Sequence, residues 1–160
     1  FVRAFGLYRL AHRWPKQFYD FHLHRTPLPD KPIAVEAISG ACMLVKREAI
    51  DEVGLLDEAY FLHGEDLDWC MRFRQKGWKI HFVPSARIEH VLGACGRSRP
   101  FFVEWHKHKG MILFYQKFFR NQYPKILWYF VFIGVWLRFG LVSVYHAGKL
   151  IQYRLAGRSD

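Results

Sequence analysis

GEDLDWCMRFRQKG, running from Gly64 to Gly77, decides how the middle of this chain folds. Its carboxylates, Glu65, Asp66 and Asp68, stand at one end, while Arg72, Arg74 and Lys76 stand at the other with a glycine just after. That layout complements both poles of a helix dipole, so it predicts a helix from about Glu65 to Lys76. Downstream, Trp78, Ile80 and Phe82 alternate with Lys79 and His81, a strand stopped by Pro84. Ala86, Ile88 and His90 alternate with Arg87 and Glu89 in a second short strand, which puts His90 in phase with the apolar face. Upstream, Lys46 to Val53 reads as a short helix closed by Gly54. The apolar and β-branched residues of Ala34 to Val45 suggest one or two strands broken at Ser39-Gly40.

Further out, Phe1, Phe5, Tyr8 and His12 follow helical spacing until Pro15 interrupts it, and the three prolines between Thr26 and Pro32 read as an irregular crossing. The 160 residues are 51% apolar and 18% aromatic, so the chain is neither disordered nor collagenous. Cys42, Cys70 and Cys95 form no CxxC pair, which points to neither a zinc site nor a disulfide framework. Phe1 is not a start methionine and no signal-peptide layout follows it, so the sequence is expected to be a piece of a longer protein.

The net charge of +10 is unevenly placed. Residues 1–32 carry six Lys/Arg against two acids, residues 33–100 nine against ten, and residues 101–160 nine against two. Basic flanks rich in Phe, Trp and Tyr suit an anionic membrane surface at least as well as a nucleic acid, and no nucleic-acid-binding motif is present. Phe101 to Tyr123 mixes aromatic residues with Lys107, Lys109, Lys117 and Arg120. Ile126 to Leu137 then carries no polar side chain except the Tyr129 hydroxyl, and after Arg138 apolar residues resume through Tyr145. A spanning helix needs about 20 predominantly apolar residues. The run reaches that length only if Arg138 is tolerated, which leaves a monotopic or re-entrant helix, a true span and a buried helix all open.

Each residue suited to chemistry also has a plain structural reading. Glu65, Asp66 and Asp68 at a helix start are common capping chemistry, and an ionised carboxylate there is also a proton acceptor. Gly40 allows close backbone approach to a ligand, or simply a turn. His90 suits a metal ligand, or a hydrogen-bonded core position. Arg97 and Arg99 suit bidentate contacts to phosphate, or solvation in a loop.

The order of these features is more specific than any one of them. The run from Ala37 to Gly93 resembles the carboxyl half of the catalytic domain of family 2 glycosyltransferases, in particular the bacterial rhamnosyltransferase-like branch. Three elements carry the resemblance: the glycine loop SGACMLV, the xED motif opening a helix in GEDLDWCMR, and the histidine that ends PSARIEH. It covers about sixty residues tightly and the flanks loosely.

The resemblance implies an α/β fold, with residues 1–100 as the carboxyl half of a Rossmann-like GT-A domain and residues 101–160 as a basic, aromatic, helical and membrane-associating tail. It implies an inverting transferase that takes a nucleotide-diphosphate sugar as donor. The acceptor would be a lipid-linked or surface-polysaccharide molecule, and the place the cytoplasmic face of a bacterial inner membrane. Asp66 matches the general base of the xED motif, with Glu65 beside it positioning the acceptor or a loop. Ser39, Gly40 and Ala41 would lie against donor sugar and acceptor, and Arg97 and Arg99 are candidates for phosphate. His90 would help hold a divalent cation, Mg²⁺ or Mn²⁺, or the diphosphate. Asp66-Leu67-Asp68 has the spelling of the family's DxD metal motif but lies in the xED helix, and the amino half that carries that motif is not found here. A non-catalytic membrane-attachment or assembly module retaining the fold is the alternative.

Overall fold

The computed structural model of the chain describes residues 27–91 and 99–157. The helical lead-in expected over residues 1–24 lies outside them. In order, the elements are β1 (Ile33–Val35), α1 (Arg47–Val53), α2 (Glu65–Gln75), β2 (Ile80–Phe82), α3 (Pro100–Phe118) and α4 (Lys125–Ala156), and β1 pairs with β2 in a two-stranded sheet. The chain divides into two compact units, residues 1–33 with 83–87, and residues 34–82 with 88–160. In the first, the described residues are irregular apart from Ile33, and Ala86 N–H donates to the Val83 carbonyl in a turn. Everything that follows concerns the second.

Its core is small and local. Ala49 of α1 packs on Trp69 and Phe73 of α2, with Met43, Val45, Ile50, Val53 and Trp78 around them. Burying side chains the size of Phe73 and Trp69 contributes about 1.5–3 kcal/mol each. α1 stops at Gly54, whose φ of 85° suits glycine and whose N–H donates to the Ile50 carbonyl at 2.7 Å. A helix end leaves carbonyls unpaired, and here α2 supplies the donors. Trp69 Nε1 donates to the Gly54 carbonyl, and the Arg72 guanidinium reaches the carbonyls of Val53 at 2.9 Å and Leu55 at 2.7 Å. α2 itself ends at Lys76 before Gly77, with φ of 82°, as its charge layout predicts.

Two expected strands are not formed. Met43 and Val45 turn onto the core while Leu44 is fully exposed, so the alternation is present, but no strand lies alongside Cys42–Val45 among the described residues. Residues 86–90 likewise have no strand neighbour there. A strand is defined by its ladder, and alternation alone does not supply one.

α3 begins with Pro100, which lacks the N–H that a first helical turn leaves unpaired anyway. α3 and α4 form an antiparallel hairpin: Phe101 meets His146, Trp105 meets Trp136 and Phe139, His108 meets Phe139, and Tyr115 stacks on Trp128. α4 is long and apolar enough, by length and composition, to cross a membrane over Lys125–Arg154, and little of it is buried in protein. Arg138, which interrupts its apolar run, turns onto α3. Its Nη1 donates to His108 Nε2 at 2.6 Å and lies 3.6 Å from Glu104 Oε2. His108, fully buried, in turn donates from Nδ1 to the Glu104 carbonyl, which fixes a neutral ring with its proton on Nδ1.

Candidate functional site

The start of α2 is held from two sides. Before it, His63 and Gly64 both have positive φ, 67° and 102°, a tight turn that aims the first helical turn. Behind that turn lies Gly110 in the middle of α3. A Cβ on Gly110 would sit 2.5 Å from the His63 carbonyl oxygen, so only glycine lets α3 approach this closely. A glycine costs a helix interior roughly 1 kcal/mol against alanine, and this contact explains why one is here.

On the other side is the Ser39–Ala41 loop. Gly40 N–H donates to Asp66 Oδ2 at 2.9 Å, and a Cβ on Gly40 would come within 3.2 Å of Asp66 Cβ. Asp66 Oδ1 accepts the Leu67 N–H at 2.8 Å, and Ser39 Oγ accepts the Ala41 N–H at 3.3 Å, tightening the loop. The close approach that Gly40 makes here is to Asp66, whereas the sequence suggested approach to a ligand or a turn. An ionised carboxylate offers about four acceptor positions. Backbone N–H groups take two of them and fix the plane of the group, and Asp66 is partly open to solvent, so acceptor capacity remains. Beside it, Glu65 Oε2 is shielded and accepts no hydrogen bond among the described residues. The Asp66 carboxylate, oriented by backbone N–H groups and with acceptor capacity to spare, can take a proton from a hydroxyl brought to it.

Asp68, two residues on, is occupied elsewhere. It is fully buried, with Oδ1 2.6 Å from Arg72 Nε and Oδ2 2.6 Å from Lys117 Nζ of α3. Lys117 also binds Asp57 at 2.7 Å. Burial works against the Lys117 charge, but the bonds to Asp57 and Asp68 outweigh it and hold the ammonium pKa above its usual value. The Lys117 bond, followed by that from the Ala59 N–H, holds Asp57 below the usual carboxylate range. Burial, and then the charge of Asp68, pushes the Tyr60 phenol up, so it stays protonated. This network ties α2, the 57–60 loop and α3 into one body, and Asp68 belongs to that scaffold.

Sequence reasoning placed Asp66 and Asp68 in one helix, as observed, but missed the Arg72–Asp68–Lys117 network and Gly110. Lys117 is sixty residues from Asp57, so no local spacing announces it. A glycine inside a predicted helix was the available signal for Gly110.

The other candidates are not gathered here. His90 and Arg99 are exposed, neither bonds the Asp66 carboxylate among the described residues, and Arg97 lies outside them. The apolar phase expected for His90 is thus not realised, because the strand that would impose it is not formed. No group of three or more His, Cys, Asp or Glu among the described residues could hold a metal ion, so these residues do not by themselves fit a divalent cation. Cys42 and Cys70 are free thiols, and burial raises the pKa of Cys70. A depression of about 240 Å³ lined by Val35, Arg74, Trp78 and Ile80 lies at the far end of α2 from Asp66.

Comparison with known proteins matches residues 9–107 to the family described as glycosyltransferase like family 2. An N-acetylglucosaminyl-diphospho-decaprenol L-rhamnosyltransferase of Mycobacterium tuberculosis is 33% identical over 102 residues, 63% of this chain and 33% of the relative. The rhamnosyltransferase WbbL of Escherichia coli is 31% identical over 52% of this chain and 34% of its own length. A dTDP-rhamnosyl transferase, RfbF, of Shigella flexneri is 32% identical over 36% of this chain and 21% of its own. The matched stretch thus spans about a third or less of each of these relatives, and no solved structure matches the chain significantly.

Proposed function

Because the chain belongs to family 2 of the glycosyltransferases, in its rhamnosyltransferase-like part, we propose that it carries the acceptor-activating side of an inverting sugar transfer, with Asp66 as general base. The donor is a nucleotide-diphosphate sugar, and rhamnose is the sugar favoured by the named relatives. The acceptor is a lipid-linked or surface-polysaccharide hydroxyl, as the diphospho-decaprenol in one relative's name suggests. Nucleotide binding is assigned to the part of the enzyme that lies beyond the matched third.

The single observation that carries this reading is the seating of the Asp66 carboxylate on the Gly40 N–H. In the proposed step the acceptor oxygen attacks the anomeric carbon from the side opposite the diphosphate. The new C–O bond forms as the bond to the diphosphate oxygen breaks, with the bonding pair leaving on the diphosphate, and the acceptor proton passes to a free position on Asp66. A positioned base of this kind contributes about 10² to 10⁴ in rate. Glu65 supports the same hydroxyl or the loop beside it. Arg97 and Arg99 follow the catalytic segment and suit the phosphates of the donor. A role for His90 at a divalent cation requires donors beyond the described residues, and no step here depends on it.

The work is placed at the cytoplasmic face of a bacterial inner membrane, with α4 as the attaching element. Its composition supports this, since Lys125, Arg138, Lys149 and Arg154 are its only charged residues and all are basic. The test is transfer by the full-length enzyme from a nucleotide-diphosphate rhamnose to an isoprenoid-diphosphate-linked sugar, with the anomeric configuration of the product read by NMR. Inversion is expected. A product of retained configuration, or no transfer from any nucleotide sugar to such an acceptor, contradicts the proposal.

A further inference from the structure

α4 carries a bare apolar stripe. Ile126, Phe130, Ile133, Leu137, Leu141 and Val144 follow one another at steps of four, three, four, four and three, which places them on one helix face, and each is more than half exposed. The opposite face meets α3, where Val135 is buried and Arg138 is paired with His108 and Glu104. α3 in turn is packed on the body of the protein. Lys117 binds Asp57, the Phe61 ring lies 4.4 Å from that of His106, and the Gly110 backbone touches His63. The order is therefore body, α3, α4 and then a bare face.

This order decides how α4 can meet lipid. Arg138 stands near the middle of the stretch between Lys125 and Lys149, and His108 holds α3 level with it. If α4 crossed the bilayer, α3 would be carried in with it. Glu104, Lys107 and Lys109 would then lie near the hydrocarbon centre, together with the 57–63 loop that grips α3, and buried charges there are costly. If α4 instead lies parallel to the surface, its stripe enters the acyl region while α3 and the body stay on the water side. Arg138 is then held on the α3 side by Glu104, and Lys125, Lys149 and Arg154 at the two ends meet anionic headgroups.

We propose that the occupant of this stripe is one leaflet of an anionic bilayer, with α4 lying in its plane as the outer helix of a hairpin that does not cross. This rests on the membrane attachment argued above and adds its geometry.

The experiment uses the full-length protein, added to preformed vesicles of phosphatidylethanolamine and phosphatidylglycerol. Reporter cysteines are introduced one at a time by Asn121→Cys and Gly157→Cys, which flank α4, in a background lacking Cys42 and Cys95, the remaining Cys70 being fully buried. Both sites are expected to react with a membrane-impermeant maleimide without detergent. Probes at Phe130, Leu137 and Val144 are expected to be quenched to equal extents by a lipid spin-labelled at one depth. Protection of either flanking cysteine until detergent is added, or a depth that changes steadily along the three probes, overturns the in-plane geometry while leaving attachment intact. Failure of the protein to bind the vesicles at all overturns attachment itself, and self-association through the stripe in that case makes a second copy the occupant.

Discussion

Gly40 and Asp66, twenty-six residues apart, meet with the glycine nitrogen 2.9 Å from a carboxylate oxygen and so close that a methyl group at Gly40 would crowd Asp66 Cβ. The contact joins the two sequence features that carry the family resemblance, the glycine loop and the xED helix, into one site. Gly40 orients the carboxylate proposed as the base, and Gly110 fixes the helix from which it projects.

Gly40→Ala places a methyl carbon 3.2 Å from Asp66 Cβ, a contact that must be relieved by a small shift of the carboxylate. Misplacing a reacting group by about 1 Å costs on the order of 10²-fold, and this shift is smaller, so a loss of roughly tenfold in kcat is expected. Thermal unfolding should change little, because Gly40 is exposed. Steady-state kinetics beside a melting curve check both halves.

At Gly110 the balance is reversed. Gly110→Ala would drive a methyl into the His63 carbonyl, and overpacking of this kind costs about 1–3 kcal/mol. Urea unfolding is expected to show that loss, with activity falling in step as the start of α2 is displaced.

Asp68→Ala leaves Arg72 and Lys117 without their shared buried partner. Breaking a buried pair costs about 3–5 kcal/mol, so this variant is expected to lose the fold before it loses any specific chemical step. Asp66 and Asp68 are thereby distinguished in denaturation: Asp66→Asn should unfold near the wild-type denaturant concentration and Asp68→Ala well below it.

Burial, aided by the Arg138 charge, holds the pKa of His108 below its ordinary 6.5, against the opposing pull of the Glu104 carbonyl and carboxylate. The unfolded chain therefore takes up this proton at a higher pH than the folded one. Stability from the neutral ring is complete above 6.5, falls as pH drops through that value toward the folded pKa, and levels off below it. Protonation would also set two cations face to face at Nε2 and Nη1. The difference in melting temperature between wild type and His108→Gln, measured across that window, is expected to shrink on acidification. The difference should be constant above it.

The helices were legible because their signals are local. Charge layout and Gly77 mark α2, Gly54 ends α1, and the change of character after residue 100 announces α3 and α4. Strands were legible only where a partner exists: Ile80–Phe82 has β1, while Cys42–Val45 and Ala86–His90 have the right alternation and no ladder among the described residues. The site divides in the same way. Asp66 and Gly40 could be singled out from their motifs, but their contact, the Lys117 anchor and the pairing of Arg138 with Glu104 and His108 depend on segments brought together across twenty-six to sixty residues. Arg138 in particular reads in sequence as a break in an apolar run, and in the structure as the point where that run is fastened to its neighbour.

The most direct test of the central claim is transfer by full-length Asp66→Asn, measured together with donor binding. The exchange keeps size and shape and removes the proton acceptor, while the amide oxygen can still receive the Gly40 N–H. Donor affinity and folding are expected to stay near wild type while the rate falls by at least about 10²-fold, the lower range for a positioned general base. Glu65→Gln should be damaging but less so. A rate for Asp66→Asn within about tenfold of wild type, well short of that contribution, would contradict the assignment of the base to Asp66.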